Sequence, residues 1–257
     1  HPRLHQGLPL HAHHPLRRRA ALALAGAALA LGGCAAWLPP PQTRALTAGA
    51  PAGLPAAAEL DRVPFFPQTP YHCGPAALAT VLVDGGVTAT PEALADTVFL
   101  PAREGSLQAE MLAGARRQGA LAWRLPGTLE AVFATVAAGQ PVVVLQNLGL
   151  AVAPRWHYAV LVGYDLAQRT VVLRSGITRR EVMPLATFEH TWARGGHWAF
   201  VALPPGRLPP VVDLDAALQA AIAFERVAAP AAAARAYETL LARWPDPLLA
   251  WLGLGNA

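Results

Sequence analysis

The chain has no lysine: all twenty of its basic residues are arginines. With its heavy load of alanine, proline and leucine, this reads as a compositional bias of the coding sequence and carries no functional weight. Charge of one sign is also missing where it matters. Four arginines (Arg3, Arg17, Arg18, Arg19) and no acid precede residue 34, so beyond it sixteen arginines face sixteen carboxylates. The pI of about 9.7 therefore belongs to the N-terminal end, and without a basic face to neutralise phosphates no nucleic-acid partner is expected. No Walker-type phosphate loop occurs, so ATP is not implied. Charged residues make up only 14% and apolar residues 54% of the 257 positions, a composition that excludes a disordered protein.

Long apolar runs are absent too. The longest, residues 20–33 after Arg17–Arg18–Arg19, falls short of the ~20 residues needed to span a bilayer and ends in small residues, as a secretion signal does. Leu31-Gly32-Gly33-Cys34 resembles the bacterial lipoprotein box, which implies that Cys34 is lipidated and becomes the mature N-terminus. Ala35 follows in place of Asp, and in a Gram-negative envelope this implies a lipid-anchored protein on the periplasmic face of the outer membrane. Residues 1–34 are thus read as the lipoprotein signal. The five histidines of residues 1–16 then belong to a lead segment that processing removes.

Cysteine is scarce: there are two. If Cys34 carries lipid, Cys73 has no disulfide partner, and a lone thiol in an oxidising compartment needs a reason. Residues 35–60, rich in Pro, Ala and Gly, read as a flexible tether. The folded part then begins at residue 61. Helices are predicted over 74–84, 91–97, 106–118 and 128–138, the last two opened by Gly-Ser and Gly-Thr. Strands are predicted over 141–149, 157–165, 170–176 and 197–203. Helices first and an antiparallel sheet second make an α+β domain over 61–205. Past the proline hinge 204–210, Phe224, Ala233, Tyr237 and Pro245 take the spacing of a tetratricopeptide repeat, and Trp251, Leu254 and Gly255 open a second. Residues 211–257 are read as truncated repeats that would continue beyond the chain, suited to a protein partner; the other outcome is that they pack on the first domain.

Cys73 precedes Gly74-Pro75 and an alanine-rich helix, and a helix N-terminus lowers a thiol pKa with its partial positive charge and free N–H groups. Gln68, five residues upstream, is a candidate oxyanion donor beside the Cys73 backbone N–H. The general base must be a histidine from elsewhere in the fold. His157, opening the strand "HYAVLVGYD", suits that role better than His72, His190 or His197. Tyr71 and Trp156 are candidate substrate-binding residues. No metal site and no cofactor are expected.

"VPFFPQTPYHCGPAAL" and "HYAVLVGYD" resemble the bacteriocin-processing, double-glycine-leader cysteine peptidases, a papain-like family, over residues 62–203. The resemblance implies a papain-like fold, Cys73 as nucleophile, His157 as base and Gln68 as oxyanion donor. With the lipoprotein signal and the repeats, it implies the stand-alone, exported type acting on a peptide or protein. The family orients its histidine with an Asp of an Asp-Pro pair on the next strand, and this chain has "VVLRSGITRR" there. A turn over 166–169 pairs 165 with 170 and puts His157 near Thr178, with Ser175 two or three residues away as the orienting group. The missing carboxylate keeps a second reading open, a weak or inactive domain serving as a binding scaffold through its repeats. A third keeps the nucleophile but makes the reaction a transpeptidation or cell-wall amide hydrolysis.

Overall fold

The computed structural model describes residues 39–68 and 71–257, and residues 40–257 form one compact unit. The signal segment and Cys34 lie outside the described residues. Seven antiparallel strands make one sheet: β1 (Ala57–Glu59), β2 (Leu121–Arg124), β3 (Val142–Asn147), β4 (Trp156–Asp165), β5 (Thr170–Ser175), β6 (Thr178–Pro184) and β7 (Ala199–Leu203). Their order is β2-β7-β3-β4-β5-β6, with β1 added on β4.

Period-two alternation decides which residues meet which helices. Val143 and Leu145 of β3, with Tyr158, Val160 and Val162 of β4, pack on α2 (Cys73–Asp84), α3 (Pro91–Val98) and α4 (Gln108–Arg117) through Leu78, Leu82, Leu94, Val98 and Met111. Val142, Val144, Ala159, Leu161 and Leu173 point the other way. They pack on α5 (Leu129–Ala137) and α6 (Leu185–Arg194) through Val132, Phe133, Phe188 and Trp192. The sheet is thus covered on both faces, which is why Val142–Leu145 of β3 are apolar without alternation and all six residues of the strand are buried.

Two expectations need correction. Part of the expected tether is ordered: residues Pro41–Ala48 form helix α1 and 57–59 form β1. The buried Glu189 carboxylate of α6 accepts the backbone N–H groups of Gln42 and Thr43 at 2.9 and 2.5 Å, so a carboxylate satisfies donors that a helix start leaves open. Leu46 of α1 joins the core beneath. Helix α4 starts at Gln108, with Leu107 at the N-cap and no side-chain cap, where Ser106 was expected to cap. Thr90 and Thr128 do cap α3 and α5, through the N–H groups of Ala93 and Ala131.

Beyond the proline-rich stretch the core does not stop. Helices α7 (Leu214–Glu225), α8 (Pro230–Arg243) and α9 (Leu248–Asn256) follow. Ala217, Ala221, Phe224, Tyr237 and Leu240 belong to the same apolar cluster as Leu121, Trp123 and Leu203 of the sheet. The stretch itself is tied down, with Gln140 donating to Leu208 O at 3.1 Å and Arg243 to Pro209 O at 3.4 Å. Gly253 of α9 has no room for a side chain because the Tyr237 ring lies against it.

Candidate active site

Cys73 is the first residue of α2 and is half-buried. Burial pushes its thiol above the ordinary value of 9.0, while the backbone N–H groups of Tyr158, Gly74 and Cys73 itself pull the other way. The approach is tight. A Cβ on Gly74 would lie 2.6 Å from Ser106 Cβ, so only glycine lets the first helical turn sit against the loop before α4. Tyr71, two residues before the thiol, holds a left-handed backbone with φ of 69°, a conformation costly for a non-glycine residue and concentrated at functional sites. His72 packs its ring on Phe99, centroids 4.8 Å apart.

His157 is the second residue of β4, opposite Gln146 of β3. Its Nε2 lies 3.0 Å from Ser175 Oγ on β5. A β-bulge decides that contact. At the turn Asp165 faces Thr170 and Gly163 faces Val172, but beyond the bulge Leu161 faces Leu173 and Val160 faces Arg174, so Val162 is an extra residue on β4. Carried along the strands, the shifted register sets His157 opposite Ile177, one residue from the expected Thr178. Because side chains alternate, that single step moves Ser175 onto the His157 face of the sheet. Glu181 of β6, opposite Leu173, shares the face. Burial lowers the imidazole pKa below its ordinary 6.5, opposed by the Glu181 carboxylate and assisted by the Arg155 guanidinium.

Gln68 lies in the segment leading to α2 and is laced to the β5–β6 turn. Its backbone N–H donates to Gly176 O at 2.9 Å, its Oε1 accepts from Gly176 N at 3.1 Å, and its Nε2 donates to Tyr158 O at 3.2 Å. One amide hydrogen stays uncommitted by these bonds. Upstream, the buried Arg174 guanidinium donates to the carbonyls of Leu60, Asp61 and Val63, which holds the same segment on the sheet. Tyr158 turns its ring toward α2 and donates its hydroxyl to Ser106 O at 3.1 Å. Burial and the neighbouring Cys73 raise its phenol pKa.

Cys73, His157, Gln68, Tyr71 and Trp156 line one cavity of about 1010 Å³, and Ser175 sits behind the His157 ring rather than in its wall. Asp165 ends β4 at the far end from His157 and accepts from Gln168 N. Trp192 and Trp198 are core residues, the indole N–H of Trp192 donating to Trp198 O at 2.9 Å. Among the described residues no three His, Cys, Asp or Glu side chains gather as a metal site. Ser106, read only as part of a helix start, and Tyr158, within the quoted strand, also border the site, as do Arg155, Arg194 and Glu181, which carried no motif that could have announced them.

A model described as the Peptidase_C39 like family matches residues 60–199, just over half of the chain. The chain belongs to the Peptidase_C39-like family. Solved structures to which the chain is similar include a C39-like peptidase from Bacillus anthracis, 22% identical over 57% of this chain and 97% of that one, with a TM-score of 0.48. A double-glycine motif protease of an AMS/PCAT transporter, solved with the leader peptide, is 18% identical over 57% and 94%, TM-score 0.43. The peptidase domain of Streptococcus ComA, a bifunctional ABC transporter of a quorum-sensing pathway, is 18% identical over 56% and 99%, TM-score 0.44. No curated protein sequence matches the chain. The Peptidase_C39-like segment contains Gln68, Cys73, His157 and Ser175, and helices α7 to α9 lie beyond it.

Proposed function

We propose that the chain is a papain-like cysteine peptidase that hydrolyses peptide bonds through a thioester. The observation that carries the reading is one cavity receiving Cys73 at a helix N-terminus and His157, whose Nε2 is already engaged by Ser175. If Nε2 holds the proton and donates to Ser175 Oγ, the Nδ1 lone pair is left to take the proton of Cys73. The sulfur then attacks the scissile carbonyl. The developing oxyanion is met by the Cys73 backbone N–H and the second amide hydrogen of Gln68. His157 returns its proton to the departing amine, leaving the thioester; water attacks next, giving its proton to His157, and the thiol is regenerated as the acid product leaves. Burial pushes both the thiol and the imidazole toward their neutral forms. Proton transfer accompanies attack.

Serine holds the tautomer but offers no charge to an imidazolium, so slow turnover is expected relative to a site with a carboxylate there. The missing carboxylate also motivates the second reading, a weakly active domain acting as a scaffold, with the exposed Leu248, Leu249, Trp251 and Leu252 of α9 as contact surface and the tetratricopeptide-like spacing as its rationale. Under either reading Cys34 is the lipid attachment point, and the protein acts at the cell envelope on peptide or protein, by analogy with the leader-bound transporter protease. Alkylation decides between them. Iodoacetamide should modify Cys73 near neutral pH, and the rate should collapse in His157→Ala; equal rates, together with unchanged cellular function of Cys73→Ser, would establish the scaffold.

A further inference from the structure

The cavity around Cys73 is lined by three arginines, Arg103, Arg155 and Arg194, against one acid, Glu104. Among the described residues none of the three is in an ion pair. One buried hub holds the guanidinium of Arg194 and the backbone of Arg155. Asn147, the last residue of β3 and 3% exposed, accepts the Arg155 and Gly149 backbone N–H groups on its Oδ1, each at 2.9 Å. Its carbonyl accepts Arg194 Nε and Nη2 at 3.1 and 2.9 Å. These bonds leave Arg194 Nη1 uncommitted. The guanidinium of Arg155 is close enough to His157 to act on its ionisation, so the positive potential reaches the reacting groups. The same cavity has apolar lining as well: Trp156 and Ile177, 56% and 83% exposed, line it with Tyr71.

We propose that this wall is a carboxylate subsite, and that the cleft selects an extended peptide bearing an acidic group beside apolar side chains. The Arg194 guanidinium, fixed by its own hydrogen bonds to Asn147 O, loses little entropy on accepting a carboxylate, and a cleft screens the attraction less than a free surface would. A peptide is favoured over a lipid surface because Trp156, Ile177 and Tyr71 line the same cavity as the thiol. The proposal rests on the cysteine peptidase reading for which bond is cut, but not for what is bound.

The test uses full-length Cys73→Ala protein and fluorescently labelled apolar heptapeptides read by anisotropy. One carries an internal Asp and a C-terminal amide, the second Asn and an amide, the third Asn and a free C-terminal carboxylate. One carboxylate peptide, or both, should bind at least about tenfold tighter than the neutral one at low salt and lose that advantage at high salt; which of the two does so identifies the source of the carboxylate. Arg155→Gln should cut the advantage below about threefold, and Ile177→Ser should weaken all three peptides alike. Equal affinity for all three overturns the proposal. So does binding of the protein to phosphatidylglycerol vesicles with no preference among the peptides, which would make the rim a membrane surface. Carboxylate-dependent binding without turnover by the unsubstituted protein would overturn the peptidase reading and keep the subsite; turnover indifferent to the carboxylate would do the reverse.

Discussion

His157 Nε2 and Ser175 Oγ lie 3.0 Å apart across β4 and β5, and the extra residue at Val162 is what brings them to one face. Under the proposed mechanism the bond selects the tautomer with Nδ1 free. Ser175→Ala should lower kcat/KM by about tenfold, the worth of one ordinary hydrogen bond at most. Ser175→Asp should raise it, because a carboxylate there stabilises the imidazolium. Steady-state kinetics on a fluorogenic peptide checks both, and unchanged rates in the pair would remove Ser175 from the mechanism.

His157 acts as a base only when neutral, and its depressed pKa places the acid limb of kcat/KM below 6.5. Glu181 is the group that raises that pKa, so Glu181→Gln should move the limb to still lower pH; Ser175→Asp should move it up. For Cys73, whose thiol is pushed up, the alkylation rate should keep climbing through the neutral range. A rate already flat at pH 5 would show a resting thiolate–imidazolium pair instead.

Gly74→Ala tests the close approach of α2 to the loop before α4. A methyl group placed 2.6 Å from Ser106 Cβ must push the helix start or the loop aside. A loss of about 1–3 kcal/mol in stability is expected, with slower alkylation of Cys73. Thermal unfolding and iodoacetamide kinetics measure the two effects.

Arg174 holds the carbonyls of residues 60, 61 and 63 and is 3% exposed. Arg174→Met removes the side-chain donor from those oxygens, of which Leu60 O keeps the Val63 N–H, and should cost about 3 kcal/mol. Because the segment leads to Gln68, limited proteolysis should open near residues 60–68 before the rest of the domain yields. Urea unfolding with timed digestion reads both.

Phe224→Ala should destabilise the whole of residues 40–257 by about 3–5 kcal/mol, since Phe224 shares one core with Trp123 and Leu203. A single cooperative transition is expected in calorimetry. Two transitions, with only the later one unchanged by the substitution, would show that helices α7 to α9 fold apart from the sheet.

Local signals were legible without coordinates. The Gly-Pro after Cys73, the Gly-Thr before α5 and the β-branched runs specify α2, α5, β3, β4 and β5, because each depends on neighbours a few residues away. Helix α1 was not legible: its N-terminal donors are satisfied by Glu189, nearly 150 positions along the chain, and its own residues are mostly Pro, Ala and polar. Strand β6 escaped notice because only its edge position, exposed and arginine-rich, defines it.

What the sequence by itself determined is a thiol at the start of a helix and an imidazole at the start of a strand, since capping, glycine freedom and period-two patterning are properties of short segments. Only the tertiary structure decided that Ser175 stands behind His157, that Cys73 and His157 line one cavity, and that three arginines share it. Those outcomes turn on strand register, where one added residue exchanges the two faces of a sheet, and no local pattern records on which side of it a distant side chain emerges.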